Sequence, residues 1–549
     1  MKKRTPTLYR LLLLLALATA LMLRQLITDG YFSVISGDTV SYTSWAWQFN
    51  EALKEGILYP RWTSLNFWGY GSPTFILYSP LAFYLAALLN LFTGSLLLAM
   101  NLAKFTALFI SAAGMFFLVK EFYSEKTALL TAAFYMMLPV NILQYYLFGG
   151  FASVISFAWF PLILLFIIRY LNNGKYRHLV YAGLCYGGLI LTHLINAYMF
   201  TFVMVLFILQ GCRGGNSARN LPAIPFIMTT GFLVAAGYLL PLAWEKRFVN
   251  LEAFIGLIYS DFFILPDLSG KLSPGHVWAV YYKTFLLNTA FYVALVLLFF
   301  IILRKLPRPA HTEAPVNISS FALILAISSI FLLFGISTPL WEIIPFFKFI
   351  QFPVRWLNIA TFAIALLFAS CCEAWSATGK AKGPLLIGSV LFGLCLAMDC
   401  HYVTNAPRFS KRELIPGKPV NWTFEHLPKG ANLDNLNKYA LSSEKAVIFK
   451  GKGEARIVAW KSAERTLQVT AQEPVTIRLA TFNFPGWKAY LNGRQTDIRT
   501  EKETGAILVD VPRGSNLLRF MFEDTPVRWY GKVISLVSVG VIGALLLIL

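Results

Sequence analysis

The chain has 549 residues, of which 57% are hydrophobic and only 13% are charged. This composition excludes a soluble globule and, with repeated apolar runs of about twenty residues, is typical of a polytopic membrane protein. The net charge of +20 does not indicate nucleic acid, because the basic residues are scattered over short loops between apolar runs. The cysteines form no CxxC motif or Cys/His cluster, so we expect no zinc site and no disulfide framework. We expect no cofactor; a divalent metal is left open but is not indicated.

The first apolar run, at 8–27, follows the basic residues Lys2, Lys3 and Arg4. It has no small-residue cleavage site, so we expect a retained helix with a cytoplasmic N-terminus. The later apolar runs predict about 12 spans in all. We interpret 75–93 as a re-entrant or surface-lying segment, because only then do five basic loops all face the cytoplasm. These loops contain Lys120, Lys126, Lys175, Arg177, Arg213, Arg219, Arg304, Lys305, Arg308, Lys380 and Lys382.

The composition changes after residue 398. Short runs that alternate apolar and polar residues between Gly, Asn and Pro predict an antiparallel β domain at 399–527, most simply a sandwich. Asn492 and Gly493 suit a two-residue hairpin turn within it. We therefore expect a transmembrane domain at 1–398 with an outer loop at 28–74, an extracytoplasmic β domain, and a final transmembrane helix at 528–549.

Asp38 lies at the front of the outer loop, just beyond the first helix. A carboxylate that is partly desolvated there suits a general base that takes a proton from an acceptor hydroxyl. The alternative is an N-cap for a helix that starts near Thr39, since Asp is a preferred capping residue. Most other acids on the outer face, such as Glu55, Glu245 and Glu342, are interpreted as solvated loop carboxylates.

Two arginines beside tryptophans are candidate phosphate ligands. Arg61 follows a Tyr-Pro pair, and Arg355 lies where an outer loop re-enters the membrane. The guanidinium fork suits phosphate, and the neighbouring Trp suits the headgroup level. If both arginines hold one lipid phosphate, they must converge in space; the alternative is that each Arg-Trp pair is an interfacial anchor. The remaining candidate contacts are Tyr59, Gln351, Lys348 and Lys283.

His193 lies at the tip between two short apolar runs. An ionisable residue at membrane depth usually faces an interior cavity, which predicts a contact with substrate. The alternative is a buried histidine whose ring is satisfied by Asn196 or by a backbone group. The sequence has no nucleotide-binding, GxSxG or HExxH motif, which favours a donor that is already attached to lipid.

Two signatures resemble a known family. The pattern LxxGxLYPRW with GYGSP, within 53–89, and FIQFPVRW at 349–356 resemble the bacterial membrane family named for a 6-pyruvoyl-tetrahydropterin-synthase-related domain. By fold that family is similar to the GT-C glycosyltransferases, which take a sugar from a polyprenyl phosphate on the outer membrane face. The segments 482–498 and 511–522 resemble the β module of multispanning proteins implicated in glycosylating lipoteichoic acid.

The resemblance implies a catalytic acid in the first outer loop, and Asp38 matches that position. A second acid or His often follows this Asp closely in such enzymes, whereas this chain has Thr39 and then Tyr42. The fold that follows is a polytopic α-helical membrane protein, GT-C-like, with a C-terminal β-sandwich-like domain.

We therefore expect a glycosyltransferase of the bacterial inner membrane, with its C-terminal domain on the periplasmic or extracellular side. It would move a sugar from a polyprenyl-phosphate donor to a lipid, glycan or protein acceptor, with membrane lipids as further partners. The alternative is a non-catalytic transporter of lipid-linked sugars or a polysaccharide assembly protein. A transporter would be indicated by inverted repeats with broken helices in matching positions, and the sequence shows no such symmetry.

Overall fold

The computed structural model describes residues 5–28, 30–32, 36–148, 150–212, 217–251, 259–264, 276–306, 315–378, 382–410, 419–432, 435 and 444–548. Arg213, Arg308 and Lys380 of the expected cytoplasmic loops lie outside these residues. The α-helices of the described ranges are Thr5–Ile27, Ser36–Lys54, Thr74–Leu77, Leu81–Thr93, Leu96–Lys120, Glu125–Met137, Pro139–Leu143, Phe151–Ser156, Trp159–Asn173, Tyr176–Thr192, Leu194–Gly211, Ser217–Asn220, Ala223–Val234, Ala236–Glu245, His276–Lys305, Ile318–Phe331, Thr338–Ile343, Trp356–Ser376, Lys382–Asn405 and Pro526–Ile548.

The helical part is that of a multi-pass membrane protein. Within the described ranges, 7 helices are long and apolar enough to cross a membrane, or up to 10 if each of three bent helix pairs is one span. The count of about 12 is therefore not confirmed. Two other predicted spans, at 179–192 and 384–398, correspond to Tyr176–Thr192 and Lys382–Asn405, which are not among those ten.

The segment expected to be re-entrant contains the short helix Leu81–Thr93, which has 13 residues. Such a helix is about 20 Å long, which is less than the roughly 30 Å of a bilayer's hydrocarbon core. It ends at Gly94, whose φ of 63° is the left-handed conformation common after a helix. Its length therefore agrees with a segment that does not cross the membrane.

The C-terminal region contains an antiparallel β-sandwich. The strands of its two sheets are β3 (Ala446–Lys450), β4 (Gly453–Trp460), β5 (Glu464–Ala471), β6 (Val475–Phe482), β7 (Trp487–Leu491), β8 (Arg494–Thr496), β9 (Arg499–Thr500), β10 (Ala506–Val511) and β11 (Gly514–Phe522). One sheet has the order β3-β6-β10-β9 and the other the order β4-β5-β11-β7-β8. The predicted turn joins β7 to β8, with φ values of 50° at Asn492 and 85° at Gly493. Two successive positive φ values are those of a type I′ hairpin turn.

The outer loop at 28–74 is more ordered than its composition suggests. It contains a strand, β1 (Gly30–Phe32), which pairs with β2 (Arg408–Ser410), and then the helix Ser36–Lys54, here called the Asp38 helix. Its last part packs into the sandwich: the ring of Trp62 lies 5.6 Å from that of Trp487, centroid to centroid. The amide of Phe482 donates to the carbonyl of Tyr70 at 3.0 Å. The β domain therefore holds the outer loop in place.

Candidate functional site

Asp38 lies in the first turn of the Asp38 helix, which begins at Ser36. It is therefore the third helical residue and not the N-cap of a helix that starts near Thr39. Asp38 is exposed to solvent. Protein nevertheless surrounds much of the carboxyl group, and this desolvation raises the pKa of Asp38. The positive charge of Arg355 lowers the same pKa by a smaller amount. Water therefore reaches a carboxyl group that protein surrounds, and this place at the start of the Asp38 helix is here called the recess.

Arg355 lies next to this recess, close enough for its charge to act on Asp38. Its Nη1 donates to the carbonyl of Ile350 at 2.7 Å and to Oε1 of Gln351 at 3.3 Å. In the described part of the chain these are the hydrogen bonds that its guanidinium makes. Gln351 is buried and has a φ of 65°, which a residue with a side chain rarely adopts. The carbonyl of Ile350 and the side chain of Gln351 thus hold one nitrogen of the Arg355 guanidinium.

Two tyrosine hydroxyl groups meet beside Asp38. Tyr42 lies one helical turn after Asp38, and the hydroxyl of Tyr78 donates to that of Tyr42 at 3.0 Å. Burial, and then the negative charge of Asp38, raise the pKa of Tyr42. Trp45 packs against both rings, with centroids 5.9 Å from Tyr42 and 5.4 Å from Tyr78. Both hydroxyl groups therefore stay protonated near neutral pH and can donate hydrogen bonds.

A segment from the far end of the chain lies over this site. Residues 419–428, here called the cover segment, precede the sandwich. Trp422 donates from Nε1 to Oγ of Ser41, one turn after Asp38, at 3.0 Å. The amide of Trp68 donates to Oδ1 of Asn421 at 2.9 Å, and the ring of His426 lies 5.2 Å from that of Trp45. The cover segment is thus attached both to the Asp38 helix and to the loop that follows it.

The cover segment brings a second acid to the site. Glu425 is largely buried, with a side chain that is 17% exposed. Burial, and to a smaller extent the charge of Asp38, raise its pKa to about 7, although its own backbone opposes this. The neighbouring His426 is buried, which lowers its pKa to about 3, so the ring is neutral. Tyr42, Tyr78 and Glu425 were not predicted as site residues from the sequence.

A helical periodicity from Ser36 onward would have placed Tyr42 on the face of Asp38, since residues four apart in a helix are neighbours. Glu425 has no comparable signal, because nothing local in WTFEHLP indicates that this stretch folds back onto the Asp38 helix. In the parts of the chain that are described, no group of three or more His, Cys, Asp or Glu is arranged to hold a metal ion.

The model of a membrane protein family, the 6-pyruvoyl-tetrahydropterin synthase related domain, matches residues 75–403. The chain belongs to this family. The family region contains Arg355, Gln351, Tyr78 and His193, whereas Asp38 precedes it and the β-sandwich follows it. No curated protein matches the chain.

Solved structures show a distant likeness to this family member. The apo oligosaccharyltransferase of Archaeoglobus fulgidus is 13% identical, with a TM-score of 0.47 over 75% of this chain and 57% of that one. ArnT from Cupriavidus metallidurans, bound to undecaprenyl phosphate, is 12% identical, with a TM-score of 0.44 over 79% of this chain and 68% of that one. The chain thus spans little more than half the length of the oligosaccharyltransferase.

The other residues of the family region that the sequence analysis selected have varied surroundings. His193 caps the helix Leu194–Gly211, and its Nδ1 accepts from the amide of Asn196 at 3.1 Å, as in the alternative interpretation. Its ring lies 6.5 Å from that of Tyr78, so it supports the wall of the site. Lys348 forms an ion pair with Glu342, and Lys283 is exposed.

The structure gives Arg61 and Arg355 separate sets of partners. Arg61 is buried; its Nη2 donates to the carbonyl of Gly237 at 3.1 Å, its Nε lies 3.7 Å from Oδ1 of Asp524, and its guanidinium carbon lies 3.8 Å from the ring centre of Tyr59. None of these residues is among those described around Asp38. The contacts therefore do not support the expectation that both arginines grip one phosphate.

Proposed function

We propose that this protein is a glycosyltransferase that moves a sugar from a polyprenyl-phosphate donor to an acceptor hydroxyl at the outer membrane face. The observation that carries the proposal is the proximity of Asp38 and Arg355. A partly desolvated carboxylate lies within reach of the charge of a guanidinium that a backbone carbonyl holds at the start of the apolar segment Pro353–Ser376. Sugar transfer from a phosphate-linked donor needs two such groups: a base that deprotonates the acceptor hydroxyl, and a group that binds the leaving phosphate.

Asp38 is the proposed general base. It takes the proton of the acceptor hydroxyl while the acceptor oxygen forms a bond to the anomeric carbon of the sugar. The bond between that carbon and the phosphate oxygen breaks, and polyprenyl phosphate leaves with the electron pair. The raised pKa of Asp38 makes its carboxylate a stronger base than that of a solvated aspartate.

Arg355 is the proposed ligand of the leaving phosphate. Because its Nη1 is bonded to Ile350 and Gln351, its orientation is set before the donor arrives, and the rest of the fork can meet an anion. Gln351 and His193 act as positioning residues in this scheme. Tyr42 and Tyr78 supply hydroxyl groups that can bind the sugar.

The remaining parts of the proposal concern setting. We place the protein in a bacterial inner membrane, with the β domain and the Asp38 helix together on the periplasmic or extracellular side. The acceptor is a lipid, glycan or protein, and the scheme needs no cofactor. Lys348 and Lys283 have no part in it, since one is already paired and the other lies exposed on a helix.

The test compares Asp38→Asn with Asp510→Asn, which alters an exposed acid of the sandwich. The wild type and the two variants are purified in detergent and incubated with a panel of polyprenyl-phosphate sugars and an envelope extract as acceptor. We expect release of free polyprenyl phosphate from one donor by the wild type and by Asp510→Asn, and no release by Asp38→Asn. Equal release by all three would exclude Asp38 as the base.

A second measurement separates the enzyme from the carrier alternative. The same variants are reconstituted in vesicles that contain the active donor, and its movement across the bilayer is followed. Movement without release of polyprenyl phosphate in the wild type would contradict the proposal and favour a transporter.

A further inference from the structure

A pocket of about 310 Å³ lies where the outer loop meets the β domain and the C-terminal helix Pro526–Ile548. Its walls include Leu58 and Arg61 from the outer loop, Ser462 from the sandwich, Asp524 from the following connection and Lys532 from the helix. None of the residues described around Asp38 lines it. The pocket is therefore separate from the proposed catalytic site.

Arg61 is the unusual group of this pocket. Its side chain is only 2% exposed, yet its Nε and Nη1 have no hydrogen-bond partner among the residues that the structure describes. The distance of 3.7 Å between Nε and Oδ1 of Asp524 is too long for a hydrogen bond. A buried guanidinium with unpaired donors is costly, and an anion in the pocket would remove that cost.

The charges of the pocket favour an anion. Arg61 and Lys532 line it as cations, and Asp524 is the acid among its lining residues. Asp524 is shared, since it forms an ion pair with Lys532 and lies near Arg61. The nearby Arg528 adds no net charge because Glu245 pairs with it. Two cations therefore face one acid, and one positive charge is left over.

The depth of the pocket indicates what kind of anion it meets. Trp529 and Tyr530 lie within one turn of Lys532 on the C-terminal helix and are 56% and 59% exposed. Exposed Trp and Tyr at the start of a membrane helix mark the headgroup level of a bilayer. Leu58, which is 85% exposed, gives the pocket wall an apolar side chain beside its charged groups.

We propose that this pocket binds the phosphate group of an anionic membrane lipid, with Arg61 and Lys532 as its ligands. The site is independent of the proposed sugar transfer and would hold the β domain and the C-terminal helix at the membrane surface. Asp524 competes with the lipid for both cations, so it limits the affinity.

The test measures lipid binding to the purified full-length protein in detergent by native mass spectrometry. The probes are phosphatidylglycerol, the zwitterionic phosphatidylcholine, a short polyprenyl phosphate and inorganic phosphate. Lys532→Gln is the main variant, because its half-exposed side chain can be lost without unfolding, whereas Arg61→Gln risks a folding defect. Lys488→Gln is the matched control, since Lys488 is 40% exposed beside Glu523 and Lys532 is 38% exposed beside Asp524.

We expect phosphatidylglycerol to bind the wild type more tightly than phosphatidylcholine, and Lys532→Gln to weaken it by about tenfold, the loss of one charge-assisted hydrogen bond. Asp524→Asn should have the opposite effect and strengthen binding, whereas Glu523→Gln and Lys488→Gln should leave it unchanged. If these residues were only structural, the substitutions at Lys532 and Asp524 would not change the affinity for phosphatidylglycerol in opposite directions.

Three outcomes would overturn the proposal. The first is that Lys532→Gln and Lys488→Gln bind phosphatidylglycerol alike. The second is that inorganic phosphate displaces the lipid at equal concentration, which would make this a site for the free anion. The third is that only polyprenyl phosphate depends on Lys532, which would return Arg61 to the donor site without affecting the assignment of Asp38.

Discussion

Arg528 and Glu245 form an ion pair in which neither side chain is accessible to solvent, at 0% and 1% exposure. Nε of Arg528 donates to both carboxylate oxygens at 3.0 and 3.1 Å, and Nη2 donates to Oε2 at 2.9 Å. The pair joins the C-terminal helix to the bent helices at 223–248. Glu245 is therefore not the solvated loop carboxylate expected from the sequence.

The first prediction follows from this pair. Glu245→Gln should destabilise the protein by about 3–5 kcal/mol, because it leaves the Arg528 charge buried without a counter-charge. Glu464→Gln, which breaks an accessible pair with Arg519, should cost about 1 kcal/mol or less. Thermal unfolding in detergent measures both. Equal small losses would mean that water or another acid reaches Arg528.

The parts of the fold that the sequence predicted depend on local patterns. Alternating apolar residues identified the sandwich, and Asn492-Gly493 identified its hairpin, because turn chemistry acts over two residues. The apolar runs identified most helices. The proposed base, Asp38, was also selected from local features, namely its place beyond the first helix and its uncharged neighbours.

The parts that the sequence did not predict depend on contacts between distant residues. Trp62 and Tyr70 enter the core of the sandwich, whose strands lie several hundred residues later in the chain. Glu425 likewise approaches Asp38 across several hundred residues of sequence. No periodicity encodes such pairings. Arg61 and Arg355 show the same limit, since two similar Arg-Trp motifs have different partners in the folded chain.

The second prediction concerns the turn that carries Tyr70 to the sandwich. Gly71 has a φ of 80°, and a Cβ added there would lie 2.3 Å from Nε1 of Trp62. Gly69 has a φ of 92° but nothing within 4 Å of such a Cβ. Gly69→Ala should therefore cost about 1–2 kcal/mol from backbone strain alone. Gly71→Ala should cost about 1–3 kcal/mol more, because Trp62 must move out of the core.

Thermal unfolding of the two alanine variants gives the comparison. Tryptophan fluorescence should change in Gly71→Ala and not in Gly69→Ala. If the two variants lose the same stability, the contact with Trp62 does not constrain the turn.

The third prediction concerns the pH dependence of stability. The pKa of Glu425 is about 7 in the folded protein, against an ordinary value of 4.5. Below about pH 4.5 the Glu425 carboxyl group is protonated in both the folded and the unfolded state, so it does not lower the free energy of unfolding. As the pH rises, the unfolded state ionises first, and the wild type loses up to about 3 kcal/mol as the pH passes through 7.

Glu425→Gln removes this titration. Its stability relative to the wild type should therefore rise between pH 4.5 and pH 8, the interval between the two pKa values and just above. Unfolding temperatures of both proteins at pH 4, 6 and 8 test the sign. A difference that is the same at all three pH values would show that Glu425 is not held in its neutral form by the fold.

The last prediction separates the two roles of Arg355, its charge and its shape. The charge lowers the pKa of Asp38, which burial raises. Arg355→Gln removes the charge, so the pKa of Asp38 should rise further, and a base that must be deprotonated should lose activity at a higher pH. The acidic limb of the rate profile therefore shifts to higher pH.

Arg355→Lys keeps a positive charge, so the acidic limb should move little, but a point charge cannot replace the guanidinium fork. Polyprenyl phosphate should then bind about tenfold more weakly, the loss of one charge-assisted hydrogen bond. Arg499→Gln, at an exposed arginine of the sandwich, is the control for both measurements. Identical rate profiles for Arg355→Gln and Arg355→Lys would show that Arg355 does not act on Asp38 through its charge.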